Sequence, residues 1–206
     1  MIWLGPAGVP IVSKDRSTLG GIRTVSELKL NAMEIEFVRG VKMSNELAKE
    51  CGKLAEDLGV RLSVHAPYFI NLSSLENEKV QASKKRILDS MEKASLMKAD
   101  LICVHAGYYG KLMEEEVYQK IEKECEDILE KAKNRGWNTV LALETTGKVS
   151  QFGTLDEIIR ICKEVKGCGI VVDAAHIFAR HAGRVNYSEI FEKLKPLKLR
   201  HYNFHF

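Results

Sequence analysis

The chain has 206 residues, of which 45% are hydrophobic and 29% are charged, and its formal net charge is +3. A chain of this length and composition can bury a core of its own, which excludes a disordered protein. It contains no run of about 18 apolar residues and no basic leader, so we expect neither a membrane span nor a secretory signal. The small positive charge permits an anionic partner without requiring one.

The cysteine pattern bears on the compartment. Five cysteines occur, no two of them form a CxxC pair, and most fall within apolar helix or strand patterns: Cys51, Cys103, Cys125, Cys162 and Cys168. Such a pattern is typical of reduced core thiols and not of a disulfide framework or a thiolate metal site. We therefore expect a single cytoplasmic, monomeric domain over residues 1–206.

Apolar periodicity predicts strands and helices in alternation along the chain. The seven predicted strands cover residues 2–4, 32–38, 61–65, 101–105, 139–144, 169–173 and 199–206. The predicted helices cover residues 22–30, 45–58, 73 to about 98, 114–134, 154 to about 165, and 187–194. Ser44 is the predicted N-cap of the second helix, and capping boxes are predicted at residues 73–76 and 154–157.

This alternation predicts a parallel sheet covered by helices, because the strands are too apolar for a sheet with an exposed face. The chain has neither a glycine-rich dinucleotide fingerprint nor a phosphate P-loop, which weighs against a doubly wound sheet. Polar residues follow the strands from the third onward, and a barrel gathers the carboxyl ends of its strands at one mouth. We predict a TIM-type (β/α)8 barrel that lacks its last strand and helix unit in this chain.

Histidines and carboxylates stand at the ends of these predicted strands: His65, His105, Glu144, Asp173, His176 and His205. Imidazole nitrogen with carboxylate oxygen is the donor set of catalytic zinc, or of manganese and iron. Glu144 has two oxygens and can bridge two cations, an arrangement that suits phosphoryl displacement. A lone histidine at a strand end is more often a hydrogen-bonded residue of the core or rim than a ligand, and the alternative for Glu144 is an ion pair with an arginine. The metal prediction therefore depends on their occurring together. His181 and His201 end no strand and are expected to be ordinary surface or packing residues.

Five segments carry a resemblance to a known family: HAPYFINL (65–72), VHAG (104–107), LETTG (143–147), VDAAHIFAR (172–180) and NFHF (203–206). In this order they resemble the endonuclease IV family of zinc-dependent abasic-site endonucleases. The resemblance implies a TIM barrel with three zinc ions at its mouth, which hydrolyses the phosphodiester on the 5′ side of an abasic site. Manganese is an alternative metal, since these ligand types accept several cations.

The resemblance also implies ligand assignments. His65, His105 and Glu144 look like ligands of the first zinc, Glu144 with Asp173 and His205 like ligands of the second, and His176 like a ligand of the third. The family's remaining ligands lie downstream of the strand that matches residues 199–206. We therefore expect a C-terminally truncated barrel with an incomplete third site, and Glu144 as the catalytic residue that orients the nucleophile.

The implied partner is damaged double-stranded DNA. Tyr68 and Phe69 resemble the family's residues that wedge into the base stack, and Arg39, Arg180 and Arg184 are candidate phosphate contacts. For the aromatic pair the alternative is packing on the barrel rim, and for the arginines it is solvated surface charge.

Two other functions fit the same barrel. Sugar isomerases and epimerases also place Glu, Asp and His at strand ends, usually around one manganese or magnesium ion. Two histidines ahead of Glu144 enlarge the site beyond one ion, and an aromatic pair is unsuited to a closed sugar pocket, so the sequence favours the endonuclease. A barrel without its last strand can also bind metal or damaged DNA without cutting it.

Overall fold

The computed structural model describes residues 2–199 and 201–206. Within them are six strands: β1 (Ala32–Glu36), β2 (Arg61–His65), β3 (Leu101–Val104), β4 (Val140–Glu144), β5 (Cys168–Asp173) and β6 (Asn203–His205). The helices of the same residues are α1 (Thr18–Glu27), α2 (Asn45–Leu58), α3 (Asn77–Leu96), α4 (Glu114–Asn134), α5 (Leu155–Glu164), α6 (Ala174–Arg180) and α7 (Tyr187–Leu194), with a 3-10 turn at Lys195–Leu197.

The strands lie in the sheet in the order in which they occur in the chain. The pairs β1–β2, β4–β5 and β5–β6 are parallel, and Asp173 lies opposite His205 in the last of them. β3 is buried along its whole length, and β4 and β5 along nearly all of theirs. The predicted alternation of parallel, buried strands with helices is therefore confirmed.

The chain divides into two compact units. The first comprises Met1–Tyr68, Arg86–Ile102 and Ala132–Thr139, and the second comprises Phe69–Lys85, Cys103–Lys131 and Val140–Phe206. In the first unit α1 and α2 pack on each other and on β1 and β2, with Ile22, Val25 and Cys51 fully buried.

In the second unit α5 packs on β5, and α7 packs on α5. Tyr118 and Phe152 are among its largest fully buried side chains. The hydroxyl of Tyr118 donates a hydrogen bond of 2.6 Å to Glu164, and the Arg160 guanidinium lies 3.7 Å from the centre of the Tyr118 ring. The buried Tyr118 hydroxyl therefore has a hydrogen-bond partner, and its ring has a cation against its face.

The prediction of a first strand at residues 2–4 is wrong. Residues 4–6 lie beside β1 without forming a strand. The Leu4 carbonyl accepts a hydrogen bond from the Ala32 amide at 3.2 Å, and the Pro6 carbonyl accepts one from the Glu34 amide at 3.0 Å. Pro6 has no amide hydrogen to continue a ladder. Gly5 is required here, since a methyl group at this position would overlap the Ala32 carbonyl oxygen.

Two helices have the boundaries predicted from their capping residues, which lie within a few residues of the helix end. α2 begins after its predicted N-cap Ser44 and ends at Gly59, and α5 has the predicted capping box between Thr154 and Glu157. The capping box at residues 73–76 is wrong, because the Ser73 hydroxyl bonds to the Tyr108 carbonyl at 2.6 Å and the helix begins only at Asn77. Predicted helices 45–58, 114–134 and 187–194 are confirmed.

Two further boundaries and one helix differ from prediction. α1 begins at Thr18, after its N-cap Ser17, rather than at residue 22. β6 covers Asn203–His205, whereas the predicted strand covers residues 199–206, of which residue 200 lies outside the described residues. α6 was not predicted at all, since the sequence pattern placed residues 174–180 on a loop. No helix of the described residues combines the length and the apolar character needed to cross a membrane.

The five cysteines are reduced, and all but Cys162 are buried. Burial raises the pKa of Cys51 to about 11 and that of Cys162 to about 12. The Cys51 and Cys162 thiols are therefore protonated near neutral pH and react slowly.

Candidate metal centre

Glu144 lies at the centre of the predicted site. It is the last residue of β4, its side chain is 2% exposed, and its backbone is held opposite Val171 of β5. A carboxylate buried to this extent is costly unless hydrogen-bond donors or positive charges meet its oxygens.

Both carboxylate oxygens of Glu144 meet such groups. Oε2 lies 2.6 Å from His105 Nε2 and 3.1 Å from Cys103 Sγ. Oε1 lies 3.1 Å from His205 Nδ1 and 3.4 Å from His176 Nδ1. Glu144 is therefore flanked on each oxygen by potential metal ligands, which is the arrangement that a bridging carboxylate requires.

Asp173 joins this cluster from the end of β5. Its Oδ1 accepts a hydrogen bond of 2.7 Å from the His176 amide and so caps α6. Its Oδ2 lies 3.4 Å from His176 Nδ1 and 4.0 Å from His205 Nδ1. The Thr145 hydroxyl accepts a hydrogen bond of 2.8 Å from the Asp173 amide, which ties the ends of β4 and β5 together.

The electrostatics of the cluster favour positive charge. The Glu144 carboxylate raises the pKa of His176 above its usual value, the Asp173 charge adds to this effect, and burial opposes it. A metal ligand must be a neutral imidazole, so a cation competes with this proton. The carboxylates that attract the proton attract a divalent cation more strongly, because its charge is twice as large.

The donor set fits a divalent cation. The ligand atoms of Glu144, Asp173 and His176 all lie within 4.8 Å of one another, and so do those of Cys103, Glu144 and His205. Nitrogen and oxygen donors at this spacing are those of zinc or manganese sites. The second unit thus brings together five of the six predicted ligands, and their role as ligands stays a prediction.

His65, the sixth predicted ligand, belongs to the first unit. It ends β2, is buried, and its Nδ1 lies 2.8 Å from the Ala66 carbonyl oxygen. A ring that donates from Nδ1 to a carbonyl carries its lone pair on Nε2, the tautomer common among metal-binding histidines. Its role as a ligand also stays a prediction.

Cys103 is the residue of this cluster that sequence reasoning missed. It was assigned to the core as a buried thiol, and it is indeed fully buried. One signal was available, since Cys103 and His105 are two residues apart at the end of a strand, where such side chains point to the same side.

The predicted DNA contacts differ in exposure. The Tyr68 and Phe69 side chains are 51% and 66% exposed, so burial in the rim does not account for them. Arg39 and Arg184 are exposed as well. Their roles in DNA binding stay predictions.

Arg180 has a defined structural role. At the end of α6, its Nη1 donates to the carbonyls of Lys148 and Gln151 at 2.8 and 3.0 Å and to the Thr146 hydroxyl at 3.2 Å, and Nη2 lies 3.3 Å from the Tyr109 hydroxyl. The alternative of a solvated surface charge is therefore wrong for Arg180. Its guanidinium holds the loop after β4 against α6, and a phosphate contact there stays a prediction.

A family described as xylose isomerase-like TIM barrel matches residues 22–206 of this chain. The chain belongs to this family. The predicted TIM-type barrel fold is confirmed by this match.

Relatives of known sequence agree with this assignment. An uncharacterized protein of Methanocaldococcus jannaschii is 37% identical over 194 residues, which cover 94% of this chain and 69% of that protein. A probable endonuclease 4 of Sulfurihydrogenibium sp. is 29% identical over 138 residues, which cover 65% of this chain and 48% of that protein. The chain thus spans about half of the length of the latter relative, and the predicted resemblance to the endonuclease IV family is confirmed.

Solved structures show the same fold. Endonuclease IV from Thermus thermophilus has a TM-score of 0.72 at 19% identity, over 93% of this chain and 71% of that chain. A D-psicose 3-epimerase has a TM-score of 0.70 at 16% identity, over 97% of this chain and 83% of that chain. At such identities the similarity shows the fold alone.

Proposed function

We propose that this chain is a metal-dependent endonuclease that hydrolyses the phosphodiester on the 5′ side of an abasic site in double-stranded DNA. One observation carries the proposal: Glu144 presents both oxygens to histidines, with Asp173 beside them. A one-ion sugar site needs fewer imidazoles than this. The relatives named endonuclease 4 support the same choice.

The chain's own residues would hold the cations as follows. His105 and Glu144 would hold one divalent cation, and Glu144 with Asp173, His176 and His205 would hold a second. The sequence adds His65 as a predicted ligand of the first. Zinc fits these donors and manganese is the alternative. When bound, such cations polarise the phosphate and lower the pKa of water.

Glu144 is suited to its role because it is fixed before substrate arrives. Its backbone is paired with β5 and its carboxylate is shielded from water, so its charge needs no reorganisation during the reaction. Asp173 fixes His176 by capping the helix that carries it. We propose that Glu144 also orients the attacking water.

The exposed aromatic pair has the chemistry for the DNA side of the reaction. An abasic nucleotide leaves a gap in the base stack, and the rings of Tyr68 and Phe69 are exposed and of a size to fill such a gap. Arg39 and Arg184 carry exposed positive charge for phosphate contacts.

The test is incision of a duplex with a single abasic site by the zinc-loaded chain. Glu144→Gln removes the central charge at nearly constant volume and should abolish incision. Glu192→Gln makes the same chemical change on the exposed face of α7 and should leave incision unchanged. An undamaged duplex of the same sequence is the substrate control.

Each other outcome points to a different function. Binding of the abasic duplex without incision would contradict the endonuclease and support a non-cleaving DNA-binding barrel. Epimerisation of a ketose together with no DNA binding would support the sugar isomerase or epimerase alternative. Incision that persists in Glu144→Gln would show that Glu144 is not the bridge.

A further inference from the structure

Cys103 lies against the metal cluster and not merely in the apolar core. Its Sγ is 3.1 Å from Glu144 Oε2, while His205 Nδ1 is 3.1 Å from the other oxygen of the same carboxylate. The ligand atoms of these three residues all lie within 4.8 Å of one another. Sulfur, oxygen and nitrogen donors therefore converge on one small volume.

These separations are close to those that one tetrahedral cation imposes on its ligands. With zinc bonded to sulfur at about 2.3 Å and to nitrogen or oxygen at about 2.0–2.2 Å, neighbouring ligand atoms lie about 3.3–3.6 Å apart. The two observed 3.1 Å separations run to different oxygens of the Glu144 carboxylate, so a rotation of this carboxylate and shifts within the 4.8 Å spacing of the three ligand atoms bring them to one cation. Magnesium or calcium would not accept the sulfur, since both prefer oxygen ligands.

We propose that Cys103, Glu144 and His205 form a mixed sulfur, oxygen and nitrogen site for a borderline-soft divalent cation such as zinc. This inference rests on the metal centre of the proposed function and adds Cys103 as a ligand of its second cation, the one that His205 would hold. The thiol releases its proton to solvent when the cation binds, so the bound form is a thiolate. The sulfur ligand makes the centre selective for zinc over magnesium.

The competing explanation is that the Cys103 thiol only donates a hydrogen bond to Glu144 and orients it. Such a partner of a metal ligand typically contributes about 10–100-fold to metal affinity. It makes no bond to the metal, however, so the spectrum of a bound cobalt ion separates the two roles.

The experiment is a titration of the metal-free full chain with cobalt(II), followed by near-ultraviolet absorption. A cobalt–thiolate bond produces a charge-transfer band, which we expect in the unmodified chain and in Cys162→Ser, which loses a half-buried thiol on α5. The band should be absent from Cys103→Ser. Cys103→Ala should lower zinc affinity in a competition assay by more than about 100-fold.

The outcomes separate this inference from the proposed function. Cobalt bound without a charge-transfer band in the unmodified chain would overturn the Cys103 assignment and leave the nitrogen and oxygen centre standing. No cobalt binding at all would overturn both. A band that survives in Cys103→Ser but vanishes in Cys162→Ser would also overturn the assignment. If Cys103→Ser fails to fold, Cys103→Ala replaces it in the cobalt titration, and absence of the band from the unmodified chain overturns the assignment without any variant.

Discussion

Two groups of charged side chains in the second unit are both buried, but they are balanced differently. The Lys84 side chain is 8% exposed and forms ion pairs with Glu124 and Asp127 of α4. Glu144 is 2% exposed, and its partners in this unit include imidazoles and a thiol, which exchange protons more readily than a lysine does. Lys84 keeps its proton near neutral pH, whereas an imidazolium or a thiol loses its proton to solvent when a metal ion binds. We infer that the first cluster stabilises the fold and the second binds a cation.

The largest expected effect is on the cation-binding cluster. Asp173→Asn removes a charge but keeps an N-cap for α6, because asparagine caps as well as aspartate. Zinc at about 1,000 times its Kd stabilises a folded chain by about 4 kcal/mol, and we expect this stabilisation to be mostly lost in the variant. The measurement is the zinc-dependent shift in Tm.

Asp156→Asn is the matched control for this change, since Asp156 also lies at the start of a helix but its side chain is 72% exposed. It should keep the full zinc-dependent shift. An equal shift in Asp173→Asn would show that Asp173 is only a helix cap.

The cluster of Lys84, Glu124 and Asp127 should affect stability whether or not zinc is present. Lys84→Met keeps the length of the side chain but leaves Glu124 and Asp127 without their shared cation. We expect the free energy of unfolding to fall by about 1–3 kcal/mol, less than for a fully buried pair because Asp127 is partly exposed. Urea unfolding with and without zinc should show the same loss, and incision should persist.

Lys79→Met is the control on the same helix, because the Lys79 pair with Glu76 is largely exposed. Its effect should stay within about 0.5 kcal/mol. A zinc-dependent loss in Lys84→Met would contradict the division between the two clusters.

A change outside both clusters sharpens the comparison further. Tyr68→Ala should weaken binding to an abasic duplex by about 1–3 kcal/mol through lost stacking, without altering zinc content or stability. Fluorescence anisotropy with a labelled duplex measures the first effect, and metal analysis the second. Tyr187→Ala, with a similarly exposed ring, is the control. Loss of zinc in Tyr68→Ala would mean that its loop is structural.

The smallest expected effect is the pH dependence of the Lys84 cluster. Burial lowers the pKa of Lys84, but hydrogen bonds and charges from Asp127 and Glu124 outweigh burial and raise it. The raised pKa contributes stability that is fully present below the unfolded value of about 10.4 and is lost as the pH rises through the folded value. The difference in unfolding free energy between the unmodified chain and Lys84→Met should therefore be constant between about pH 6, where the partner carboxylates are ionised, and about pH 10, and shrink above it. A difference that grows with pH would contradict this.

Local signals in the sequence predicted much of the fold. The bounds of α2 followed from Ser44 and Gly59, and the start of α5 followed from its capping box, because a cap is a contact between residues three or four apart. The candidate ligands were also predictable, since a polar residue at the end of a buried strand is costly and conspicuous. The alternation of strands and helices was enough to predict a barrel with its ligands at the strand ends.

Other features were decided by contacts between distant parts of the chain. The Ser73 hydroxyl bonds to Tyr108 instead of capping α3, and the segment after Leu4 lies beside β1 without becoming a strand. The sequence offers Arg180 as a phosphate contact or a solvated surface charge, but the fold directs its guanidinium to the carbonyls of the loop after β4. Cys103 looks like any core thiol until β4 places Glu144 against it. The sequence by itself determined the caps of α2 and α5 and the kinds of candidate ligand, which depend on near neighbours. Only the tertiary structure decided which side chains meet, because those distances depend on the pairing of strands far apart in the chain.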